Sequence, residues 1–159
     1  CVNLGYMGGS CQVIMYNTLR LIELGYIPKT VTIVIPETSR MTYFDEHAPI
    51  NLIPNALNGR TDGILKFYEY WVRPPHNSEL YSRMAILGAQ ALWVNMGVPV
   101  VMRHWHHNPQ EVQLAPYLPH PVDKARDLVD QGQGRYHAHP GPTTMALWAR
   151  DIADQIRGL

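Results

Sequence analysis

Residues 30–35, Thr30-Val31-Thr32-Ile33-Val34-Ile35, constrain this chain more than any other stretch. An unbroken β-branched run fits a pleated strand and loses side-chain freedom in a helix. Such a run is typical of a parallel strand covered on both faces. What precedes it agrees. Cys1 to Gly5 reads as the end of a short strand, and Tyr6-Met7-Gly8-Gly9-Ser10 as a glycine-rich turn. From Gln12 to Leu24, the residues Val13, Ile14, Leu21, Ile22 and Leu24 suit an amphipathic helix, with Gly25 as its stop. Strand, turn, helix, strand is a βαβ unit and predicts an α/β fold.

Downstream, Pro36 to Arg40 sits at the C-terminal end of that strand, where open parallel sheets bind ligands. Met41 to Asn77 is irregular, with prolines at 49, 54, 74 and 75 and an aromatic stretch, Phe67 to Trp71. It reads as an excursion with one short helix, serving as a lid or binding surface or else as a satellite cluster under a long loop. Ser78 to Met96 is the clearest helix, capped by Ser78, striped by Leu80, Met84, Leu87, Ala91 and Leu92, and ended by Gly97. Val98 to Met102 is a second covered strand. A proline-broken segment, Pro109 to Pro121, a short helix over Val122 to Val129 and a Gln-Gly connector follow. The last helix begins near Pro142, and Met145, Trp148, Ala149, Ile152 and Ile156 form its apolar stripe.

At 159 residues, one domain is expected. Thirteen basic residues balance thirteen acidic ones, which gives no electrostatic reason to expect nucleic acid or an anionic membrane as partner. No apolar run approaches the ~18 residues that a membrane span needs. Cys1 and Cys11 lie too close to the N-terminus to frame a disulfide scaffold, so they do not fix the redox compartment. The first residue is not methionine, so the chain is expected to start after processing or to be a piece of something longer.

Three groups of residues invite a chemical reading. His104, His106 and His107 follow the second strand, but no Asp, Glu or Cys completes a metal site at standard spacing, so no metal and no cofactor is expected. The Gly8-Gly9-Ser10 turn opens a helix whose N–H groups suit an anion or a developing oxyanion; the bland reading is a tight turn that needs glycine. It does not match the G-x-G-x-x-G spacing of dinucleotide sites. His139, in Tyr136-His137-Ala138-His139-Pro140-Gly141-Pro142, is carried to the lip of the last helix, a position that suits a general base; the bland reading is a solvated loop histidine. Cys1 as an N-terminal nucleophile has no further support in the sequence.

Together these pieces resemble the SGNH (GDSL-type) hydrolases, esterases and acetyl hydrolases on a flavodoxin-like three-layer α/β/α fold with a mostly parallel sheet. Asn3 to Ser10 is similar to the family's second block, where a glycine N–H helps form the oxyanion hole; Gly8 is the matching position. Ile33 to Thr38 falls where the third block lies, with Thr38 in place of the family's oxyanion-donating Asn. Ser10 and Arg40 complete the candidate oxyanion and substrate contacts. His139-Pro140-Gly141-Pro142 is similar to the last block, whose histidine is the general base. The likeness is greatest to SGNH-like proteins encoded by bacteriophages, which implies a possible place in a virion.

This chain departs from the family at three points. The nucleophilic serine and the first strand, normally central in the sheet, lie upstream of the second block, before residue 1. The family's acid sits three residues before the histidine, where this chain has Tyr136; Asp127 and Asp130 are the candidates to orient His139. Ser10 follows the oxyanion glycine and does not correspond to the nucleophile. Two functions follow as expectations. One is an SGNH-type esterase acting on a small-molecule or glycan ester, with its serine supplied from upstream. The other is a catalytically inactive binding or structural module, with a protein partner covering the sheet edge that the absent strand leaves.

Overall fold

Two helices that end in the same way, each followed by a proline and a strand, set the architecture. The computed structural model describes residues 2–5, 9–36, 40–44, 49–52, 63–104 and 142–158. In chain order the elements are α1 (Cys11–Glu23), β1 (Val31–Ile35), β2 (Met41–Phe44), β3 (Pro49–Leu52), α2 (Gly63–Phe67), a π-helical turn (Tyr68–Val72), α3 (Pro75–Asn95), β4 (Val100–His104) and α4 (Pro142–Arg157). β1 and β4 pair in parallel, with Val31 opposite Val100 and Ile35 opposite His104. β2 and β3 form a separate antiparallel pair. The protein is an α/β structure with a small parallel sheet.

The end of α1 is a Schellman turn. Gly25 has φ of 71°, its N–H reaches the Ile22 carbonyl at 2.9 Å, and the Tyr26 N–H reaches Leu21 at 2.8 Å. α3 ends identically: Gly97 has φ of 72°, its N–H reaches Val94 at 2.9 Å, and the Val98 N–H reaches Trp93 at 2.9 Å. Both glycines occupy the left-handed region that a Cβ disfavours. Pro28 and Pro99 then forbid helix continuation. Each helix is thus turned sharply into its strand, and the Val31 N–H bonds the Pro99 carbonyl at 2.9 Å, bringing the two strand starts together. A Gly97→Ala protein is expected to lose about 1 kcal/mol, the cost of a side chain at positive φ. Nothing lies within 4 Å of the added Cβ, so the loss is conformational and not steric. Chemical denaturation measures it.

The core lies between β1, β4, α1 and α3. Ile33 and Ile35 from β1 and Val100 and Met102 from β4 meet Cys11 of α1 and Ala85, Ile86, Ala89 and Trp93 of α3. Among the described residues Trp93 is the largest fully buried side chain, and its indole N–H donates to the Thr18 hydroxyl at 3.1 Å across the α1–α3 contact. The predicted stripe of α3 is on the wrong face. Leu80, Met84 and Ala91 are exposed and Leu87 and Leu92 half-buried; the buried face is Ser82, Ala85, Ile86, Ala89, Gln90 and Trp93. That face mixes small residues with Ile86 and Trp93, and beside it Gly88 permits a close approach of α1: a Cβ there would lie 3.2 Å from the end of Met15. The helix also starts earlier than expected. Pro74 is its N-cap and Pro75 its first residue, so Ser78 is inside the first turn and not the cap.

Other expectations need correction. Val2 to Gly5 is not a strand; the Asn17 amide donates to the Leu4 carbonyl at 3.1 Å, and the Gly5 N–H bonds the Asn3 side chain at 2.8 Å. The segment read as irregular contains the β2–β3 pair, α2 and a π-helical turn over the aromatic stretch. Tyr68 and Val72 of that turn pack with Leu52 in a second small core. β1 is covered on one face only, since Thr32 and Val34 are exposed. β4 is buried on both, with Val101 and Arg103 on the side away from the main core. β4 is Val100–His104, so His104 ends it and does not follow it. α4 touches β4, but its stripe is not sunk in a core: Met145, Ala149 and Ile156 are exposed, and Trp148 and Ile152 are half-buried. The expected helix over Val122 to Val129 lies outside the described residues.

Candidate functional site

The N-terminus of α1 and the chain leaving the C-terminal end of β1 meet at one corner of the molecule. Ser10, the N-cap of α1, makes no side-chain cap bond. Its hydroxyl instead lies 2.7 Å from the Thr42 hydroxyl on β2. Thr42 in turn donates to the Asn51 side-chain carbonyl on β3, also at 2.7 Å. A threonine hydroxyl has one hydrogen. Since Thr42 gives that hydrogen to Asn51, Ser10 must be the donor to Thr42. The chain Ser10 to Thr42 to Asn51 therefore runs in one direction, with Ser10 1% and Thr42 3% exposed.

A second contact ties the same elements at the surface. Tyr16 of α1 and Phe44 of β2 stack with centroids 4.8 Å apart and planes at 29°, and both rings are partly exposed. The hydroxyl chain holds β2 against α1 from inside, and the ring pair holds it from outside. None of Thr42, Asn51, Tyr16 or Phe44 stands out in the sequence as a site residue. The available signal was the alternation of Met41 to Phe44 directly after Arg40, which is a short strand pattern.

Of the residues singled out from the sequence, Ser10 is buried in this corner with its hydroxyl engaged, and Arg40 is half-buried immediately before β2. Gly8, Thr38, Asp127, Asp130 and His139 lie outside the described residues, as do His106 and His107. Among the described residues there is no group of three or more His, Cys, Asp or Glu placed to hold a metal ion. Among those residues, too, no helix is long and apolar enough to cross a membrane. No protein-family profile, curated protein or solved structure matches this chain.

Proposed function

We propose that this chain is an SGNH-type ester hydrolase domain, acting on an ester or acetyl group of a small molecule or glycan. This reading requires a nucleophilic serine from polypeptide upstream of Cys1. The observation that carries the reading is the Ser10–Thr42 hydrogen bond. Ser10 closes the stretch that resembles the family's second block, and Thr42 follows the stretch that resembles the third by four residues. An oxyanion hole built from both blocks needs them side by side, and this bond ties their flanks together. In this reading Gly8 donates to the oxyanion, Thr38 and Arg40 are further substrate contacts, and His139 is the base, oriented by Asp127 or Asp130. The finer architecture proposed with it is a flavodoxin-like three-layer sandwich. β4, buried on both faces, and the contact of α4 with β4 support a second helical layer.

One observation favours a second reading. Ser10, the serine nearest the glycine turn, is shut inside the corner and spent as a hydrogen-bond donor. A chain with no other serine brought to that corner is a catalytically inactive binding or structural module, of the kind a phage particle would carry. In that reading a protein partner covers the edge of β1 opposite β4.

A fluorophosphonate probe separates the two. The chain of residues 1–159 alone is expected to stay unlabelled. The chain extended by its upstream segment is expected to label at a single serine, and a His139→Ala variant of it to lose labelling. Absence of labelling in the extended protein ends the esterase reading and leaves the binding module.

A further inference from the structure

We draw no further inference here: the strongest candidate, the exposed aromatic patch of Tyr70, Trp71 and Tyr81 where the π-helical turn meets α3, carries nothing because nothing in the structure shows what covers it.

Discussion

Trp93→Ala is expected to destabilise the fold by about 3–5 kcal/mol, the range for truncating a large buried aromatic. That is a large part of the ~5–15 kcal/mol that holds a domain together. Trp93 is 1% exposed and belongs to the core cluster that α3 forms with α1, β1 and β4, so its loss opens a cavity in that core. It also removes the donor to the Thr18 hydroxyl, which is itself buried. Trp93→Phe separates the two effects. It keeps most of the packing and drops the hydrogen bond, and is expected to cost less than Trp93→Ala. Thr18→Val leaves the indole N–H without its acceptor and is expected to cost about 1–3 kcal/mol. Urea unfolding midpoints for the three variants measure the series. A Trp93→Ala midpoint equal to that of the wild type would mean that α3 does not pack on α1 as described.

What the sequence made legible is local backbone chemistry. The Gly25 and Pro28 pair and the Gly97 and Pro99 pair mark where helix becomes strand, and both turns form where these residues stand. β1 and β4 follow from their β-branched runs, and their parallel pairing follows from two helix-to-strand units placed side by side. What the sequence hid is which side of a helix its neighbour takes. On α3 both faces are apolar enough to serve as a core face. Leu80, Met84, Leu87 and Ala91 have the cleaner apolar period. The buried side is nonetheless that of Ser82, Ala85, Ile86, Ala89, Gln90 and Trp93, whose two polar residues break the apolar pattern, and Gly88 beside it lets α1 come close. Periodicity says that a helix has a stripe; it does not say which of two stripes meets α1.

The β2–β3 pair was hidden for another reason. Its strands are four residues each, and Pro49, which cannot donate to a ladder, opens the second. Such short strands are not stable by propensity alone. They are held by tertiary contacts that no local pattern encodes: the Ser10–Thr42–Asn51 chain, the Tyr16–Phe44 stack, and the packing of Leu52 with Tyr68 and Val72. The candidate site shows the same limit. A glycine turn before a helix is visible in sequence, but the hydroxyl that fastens Ser10 at the start of that helix, Thr42, is a single threonine 32 residues away.

The direction of that hydroxyl chain leads to an asymmetric pair of mutants. Ser10→Ala removes a donor at the end of the chain. Thr42 keeps its own hydrogen bond to Asn51 and loses only one accepted bond, so the expected cost is about 0.5–1.5 kcal/mol. Thr42→Val removes the middle of the chain while keeping its shape. The Ser10 hydroxyl is then left buried without its acceptor, and the bond to Asn51 is lost at the same time. Stranding a buried donor carries its full desolvation cost, so Thr42→Val is expected to cost about 1–3 kcal/mol and more than Ser10→Ala. Thr42→Ser, which restores the hydroxyl, is expected to recover most of the difference. The Ser10→Ala Thr42→Val double variant no longer strands the Ser10 hydroxyl and is expected to be more stable than the sum of the two single losses predicts. Equal losses for the two single variants, with additive behaviour in the double, would mean that no hydrogen bond joins Ser10 to Thr42. Of the two contacts described between α1 and β2, the Tyr16–Phe44 stack would then remain and the buried one would not.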